Sequence, residues 1–266
     1  MTDIAKQSHR IETPRGHLYA ECWSPRKSRG VPIVLLHDSL GCVELWRDFP
    51  LRLAQSCGRE VIAYDRLGFG RSSACLVNLT PSFIEDEAHG DFQAVREYFQ
   101  LSQFVVFGHS VGGGMAVGCA AAHPQACHGL ITESAQAAVD NAILDGIRSA
   151  ARRFALPGQM ERLQQYHGKK AEWVLRSWVD TWLSEEFRQW NLDRQLAQVQ
   201  CSALVLHGDR DEYGTRHHPE RLCAGISRAP TLHMLENCGH LPHREYPDQV
   251  LAATSVFLAK SAGHLY

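Results

Sequence analysis

No stretch of the 266 residues stays apolar for the roughly 18–20 positions that a membrane-spanning helix needs. The opening residues, Met1-Thr2-Asp3-Ile4-Ala5-Lys6-Gln7, lack the apolar core of a secretion signal. Neither sign of charge is in excess: 27 Lys and Arg stand against 29 Asp and Glu, for a net charge of -2, so nucleic acid and anionic membrane surfaces are not expected partners. Cys-x-x-Cys is absent and the nine cysteines are an odd number, which argues against a disulfide framework and for free thiols in a reducing cytoplasm. His-Glu-x-x-His is absent among 15 histidines, and the adjacent His217-His218 cannot both face one ion from a regular helix. No metal and no cofactor are therefore expected, and no internal repeat or low-complexity linker divides the chain. What remains is an ordinary globular composition, 44% hydrophobic and 21% charged, long enough for one domain or a domain with an insertion.

Within that composition, strand and helix patterns alternate. Residues 8–13 and 17–23 read as an antiparallel pair around Pro14-Arg15-Gly16. The runs 31–36, 60–64, 103–108, 128–134, 203–206 and 231–235 read as further strands, mostly as solid apolar stretches. Helices are expected at 44–57, at 81–99 with Thr80 as N-cap and Pro81 in the first turn, directly after residue 110, and at 247–260. Solid apolar strands alternating with helices indicate an α/β protein whose parallel sheet is covered on both faces. Residues 136–197 break the alternation and read as helices only, at 138–154, 158–167 and 169–189. Val139, Ile143, Ile147 and Ala151 share one face there, as do Val174, Trp178 and Trp182. This predicts a core of 1–135 and 198–266 with a helical cap of 136–197. Packing onto the core explains most of the cap's aromatics, while Trp178 and Trp182 are candidates for lining an apolar pocket.

Gly108-His109-Ser110-Val111-Gly112 has the Gly-x-Ser-x-Gly pattern. The apolar stretch Phe104-Val105-Val106-Phe107 precedes it, and a Gly- and Ala-rich helix pattern follows. Strand, sharp turn and helix is the setting that holds a serine up as an exposed nucleophile, and the glycines let strand and helix approach closely.

Four other segments complete a resemblance that covers nearly the whole chain. His37-Asp38-Ser39-Leu40-Gly41 follows the third strand, and Asp65-Arg66-Leu67-Gly68-Phe69-Gly70-Arg71-Ser72 follows the fourth. His207-Gly208-Asp209-Arg210-Asp211 and Gly239-His240-Leu241-Pro242 follow the last two. In order and spacing the sequence resembles the α/β-hydrolases of the lidded kind. The resemblance implies a mostly parallel eight-stranded sheet with helices on both faces and a helical lid insertion. It also implies a triad in the order Ser110, Asp211, His240.

His240 is the expected base, with His243 and His233 as rivals, while His37 is expected to be structural and His109 to point away from the nucleophile. Asp211 is the expected acid; Asp209 and Glu133 compete for that role, and Glu133 could instead line the site. The oxyanion is expected to meet the backbone N–H groups of Ser39 and Val111. Asp38 replaces the glycine of the family's His-Gly pair, and either bonds within its own loop or shapes substrate choice.

Together these features predict a serine hydrolase that cleaves a carboxylic ester of a small to medium apolar substrate through an acyl-enzyme. Its only expected partner is that small molecule, and its expected place is the cytoplasm. Carbon–carbon bond hydrolysis of a vinylogous diketone, a ligand receptor and a cofactor-free oxygenase are the alternatives on the same fold. The Lys169-Lys170 and Arg152-Arg153 pairs could meet an acidic substrate, although a solvated surface is the plainer reading. An aminopeptidase would need carboxylates to hold an amine, and Glu161, Glu172, Glu185 and Glu186 look like exposed helix charges.

Overall fold

The computed structural model describes residues 3–262; the ends of the expected core, 1–2 and 263–266, lie outside the described residues. β1 (Ile4–Thr13) and β2 (Gly16–Pro25) form a hairpin, and β3 (Ile33–Leu36) and β4 (Val61–Asp65) flank α1 (Phe49–Cys57). After α2 (Phe83–Asp86) and α3 (Asp91–Tyr98) come β5 (Phe104–His109), α4 (Val111–Ala122) and β6 (Cys127–Glu133). Helices α5 (Asn141–Phe154), α6 (Gln159–His167), α7 (Ala171–Trp182) and α8 (Asp193–Leu196) follow before the next strand. β7 (Ala203–Gly208), α9 (His217–Gly225), β8 (Thr231–Leu235), α10 (Pro242–Glu245) and α11 (Pro247–Ala262) come last.

All eight strands join one sheet in the order β1-β2-β4-β3-β5-β6-β7-β8. The β1–β2 and β2–β4 pairings are antiparallel and the rest are parallel. The solid apolar runs have a structural cause: β3, β4, β5 and β7 are buried at every position. Alternate residues feed two separate cores. Val34, Leu36 and Val106 pack with α3 and α4, while Ile33, Leu35 and Phe107 pack with α1 and α11.

Two expected helices are broken where tertiary demands override the apolar pattern. The 44–57 segment divides into a short 3₁₀ turn, Val43–Trp46, and α1, with Arg47 at φ 55 between them. Pro50 belongs in the first turn of α1, because inside a continuous helix it would leave a carbonyl unpaired. The 81–99 segment is interrupted at Gly90, whose φ of -102 and ψ of -112 are not helical. Asp91, just beyond, turns inward and accepts hydrogen bonds from Leu67 N at 2.6 Å and Arg15 Nη2 at 2.5 Å. Thr80 does not cap that helix: its hydroxyl reaches Asp86 Oδ2 at 3.2 Å, and α2 starts at Phe83.

The helical segment between β6 and β7 is fastened at both ends and in its middle. Ala138 and Asn191 form an isolated bridge where it leaves and returns. His167 accepts from Gly70 N at 2.9 Å and donates to Leu40 O at 2.9 Å. Lys170 is not a solvated surface charge: its ammonium donates to the carbonyls of Phe69, Gly70 and Ser72. That cation holds the turn after β4 against α7. Arg152 and Arg153, by contrast, are exposed.

Candidate active site

Ser110 sits between the last residue of β5 and the first of α4, at φ 55 and ψ -124. That conformation is strained for any residue with a Cβ, and the surrounding contacts enforce it. A Cβ on Gly108 would stand 1.9 Å from the Gly112 carbonyl oxygen, and one on Gly112 would stand 2.2 Å from that of Leu36. Side chains at either position would force the elbow open. The turn also places Ser110 at the N-terminus of the buried α4, where unpaired N–H groups and the helix dipole favour negative charge.

The parallel order β5-β6-β7-β8 brings the C-terminal ends of four strands side by side, the usual place for ligands in open α/β sheets. Ser110 Oγ lies 3.0 Å from His240 Nε2, and His240 Nδ1 lies 2.8 Å from both Asp211 carboxylate oxygens. Burial pushes the Asp211 carboxyl up. The charge and hydrogen bond of His240, with His207 and the Tyr213 N–H, outweigh that push and hold it below the usual carboxylate value. The ring of Tyr213 stands 4.9 Å from that of His240. Asp209 does not reach the imidazole; it accepts from Cys238 N at 3.3 Å and ties the two loops together.

Behind these three residues lies a buried network that no single motif announces. His109 indeed turns away from the nucleophile: its Nε2 donates to the His240 carbonyl at 2.8 Å, and its Nδ1 faces Asp38 Oδ2 at 3.5 Å. Glu133, at the end of β6, is wholly buried and accepts from His243 Nδ1 at 2.7 Å, while its other oxygen has no partner in the protein. It lines neither cavity described below. The ligand atoms of His109, Glu133 and His243 lie within 4.8 Å of one another and could hold a metal ion. However, both His109 nitrogens already face partners and one Glu133 oxygen is bonded to His243, so the arrangement is a hydrogen-bond network. His37 is structural, accepting from Arg66 N at 3.2 Å and donating to Asp38 O at 2.8 Å.

Asp38 combines the two roles open to it. Its Oδ1 accepts from Leu40 N at 3.2 Å within its own loop, and the residue also lines a cavity with Ser110 and His240. Burial raises the Asp38 carboxyl, but the bond and charge of His109, followed by His37 and His240, more than offset this and keep it ionised. For His109 burial lowers the pKa, yet Asp38 and Glu133 leave it raised overall.

Two cavities lie beside the elbow, and Ser110 lines the smaller. One, of about 240 Å³, is walled by Ile143, Ile147 and Leu241 together with Asp38, Ser39 and Gln136. The other, of about 770 Å³, runs past Val111, Met115 and Leu67 toward residues 75–97. Ser39, Trp178 and Trp182 border both. Sequence reasoning finds the two tryptophans but misses Glu212, Tyr213 and Gln136, whose only signal is that two of them adjoin Asp211.

Glu87, in the wall of the larger cavity, accepts from Tyr64 Oη at 2.5 Å. Burial first, then the Asp91 charge, raises its carboxyl from an ordinary value near 4.5 to about 7. The folded protein therefore holds a proton that the unfolded chain releases, so this group costs stability as pH rises from about 4.5 to about 7. Glu87→Gln keeps an acceptor for Tyr64 and removes the charge. Urea unfolding should show the variant more stable than wild type by about 1–3 kcal/mol at pH 8, with the difference vanishing below pH about 4.

Comparison with known proteins bears on this geometry. Residues 33–253 match the profile of the alpha/beta hydrolase family. The chain is similar to the human serine hydrolase BPHL, 26% identical over 208 residues that cover 74% of this chain and 69% of that protein. It is also similar to epoxide hydrolase B of Mycobacterium tuberculosis, 34% identical over 126 residues covering 47% of this chain and 35% of that one. Among solved structures, proline iminopeptidase of Mycobacterium smegmatis superimposes with a TM-score of 0.73 at 20% identity, covering 96% of this chain and 98% of that one. A bacterial membrane phospholipase A gives 0.77 at 19% identity, covering 97% and 87%. At such identities the structural likeness speaks for the fold alone, whereas the profile spans most of the sequence. The chain belongs to the alpha/beta hydrolase family.

Proposed function

We propose that the protein is a serine hydrolase acting on carboxylic esters of small to medium apolar acids or alcohols, with Ser110 as nucleophile, His240 as base and Asp211 as orienting acid. One observation carries this reading: the unbroken chain of contacts from Ser110 Oγ through both His240 nitrogens to Asp211, at 3.0 and 2.8 Å. In this mechanism His240 Nε2 takes the hydroxyl proton as Oγ bonds to the ester carbon. The backbone N–H groups of Ser39 and Val111 receive the oxyanion, each such donor contributing about 3–4 kcal/mol at the transition state. The carbon–oxygen bond breaks as His240 returns its proton to the departing alkoxide. Water then adds to the acyl-enzyme, gives a proton to His240, and releases the acid and free Ser110.

The segment 136–197 acts as a lid in this reading. Its Ile143, Ile147, Trp178 and Trp182 supply the apolar wall, consistent with a substrate that shelters from water. A fluorophosphonate probe and a panel of p-nitrophenyl esters, lactones and diketones test the proposal. The expected result is one covalent adduct on the peptide bearing Ser110, with turnover of the esters. Labelling without turnover of any ester would favour a receptor, and turnover confined to diketones would favour carbon–carbon hydrolysis.

A further inference from the structure

The smaller cavity has a charge and ring composition that ester hydrolysis alone does not require. Two carboxylates, Asp38 and Glu212, line it with the rings of Trp178, Trp182 and Tyr213, and none of its lining residues is Lys or Arg. The cations nearby each donate to a protein oxygen, and Arg66 and Arg244 also feel the Asp38 charge. Arg66 Nη2 donates to the Asp38 main-chain carbonyl at 2.7 Å, Arg153 to Tyr213 Oη at 2.9 Å, and Arg244 to the Leu45 carbonyl. Among the described residues, the ion-pair partner of the Asp38 carboxylate is His109, which does not line the cavity. Trp182, 3% exposed, borders this cavity and the larger one, and its buried indole N–H has no partner in the protein.

We propose that this chamber receives the ammonium group of a cationic ester, with Asp38 as its principal counter-charge, Glu212 at the rim, and Trp178, Trp182 and Tyr213 as an aromatic wall. The proposal relies on the serine hydrolase reading for the position of the scissile bond, but not for the binding itself. Aromatic faces and a carboxylate favour a cation by electrostatics that neither supplies to a neutral group. The same charges repel an acidic substrate. Asp38 serves as a selector and not as a second base, because a carboxyl held below its ordinary pKa takes up protons poorly.

Two matched ester pairs and one binding measurement test this. Valine benzyl ester against benzyl isovalerate places the charge on the acyl side, and butyrylcholine against neohexyl butyrate places it on the alcohol side. In at least one pair kcat/KM should favour the cationic member by about tenfold or more, and the favoured pair identifies which half of the ester enters the chamber. Asp38→Asn and Asp38→Gly should bring that ratio toward one, and Glu212→Gln should reduce it less; using a ratio within each variant cancels general losses of activity. Separately, benzyltrimethylammonium should quench the tryptophan fluorescence of Ser110→Ala saturably, and not that of the Ser110→Ala/Asp38→Asn double variant. Ratios at or below one in both pairs, a ratio unmoved by the Asp38 variants, or no saturable quenching would overturn the inference even if both neutral esters are hydrolysed. Saturable, Asp38-dependent quenching without turnover of any ester would uphold the inference and reject the esterase reading.

Discussion

Ser110→Ala is expected to lower kcat/KM for short p-nitrophenyl esters by about 10⁴–10⁶-fold. The variant removes the hydroxyl that lies 3.0 Å from His240 Nε2 and leaves the imidazole water to deprotonate in its place. Residual rate above background then comes from the N–H groups aimed at the oxyanion and from substrate binding. Alanine is the appropriate replacement because it retains a Cβ at φ 55, so the strain at the elbow is unchanged and the thermal midpoint should match wild type. Fluorophosphonate labelling should disappear along with the activity. Turnover that survives the substitution in a folded variant would remove Ser110 from the mechanism and shift attention to the ionised carboxylate of Asp38 in the same cavity.

The parts of this site that were legible from sequence are those whose requirements are local. Gly108 and Gly112 are dictated by sub-contact distances within the turn itself, so the elbow declares itself in five residues. Ser110 and Asp211 follow strands buried at every position, His240 follows the half-buried β8, and the family resemblance in order and spacing names all three. The Asp38–His109–His240 link was not legible, because it joins the end of β5 to two loops whose contact exists only once β3, β5 and β8 are assembled. Glu133 remained ambiguous for a related reason: its position at a strand end suits an acid, and only the 2.7 Å contact to His243 shows where its charge is spent. The broken helices teach the same lesson from the fold. Apolar spacing ran smoothly through Arg47 and Gly90, but periodicity does not register that Asp91 is pulled inward by Leu67 and Arg15.

The choice between two carboxylates makes Asp211→Asn the other large expected effect, about 10⁴-fold in kcat. An amide would present either a neutral acceptor or a donor to His240 Nδ1. A donor there forces the proton onto Nε2, the nitrogen that must accept from Ser110, and even the acceptor form leaves a developing imidazolium without its counter-charge. The loss should fall on kcat while KM changes little, because Asp211 lines neither cavity. Glu133→Gln is the informative comparison. It removes a charge of the same sign from a site just as buried, but one bonded to His243 and not to His240. Its effect on kcat should be smaller by about two orders of magnitude or more, while its unfolding free energy should drop, because the buried hydrogen bond from His243 loses its charged acceptor. The reverse ranking, with Glu133→Gln inactive and Asp211→Asn active, would mean that the acid side of the triad is supplied from β6 and that the 2.8 Å contact at His240 Nδ1 is not the one used in turnover.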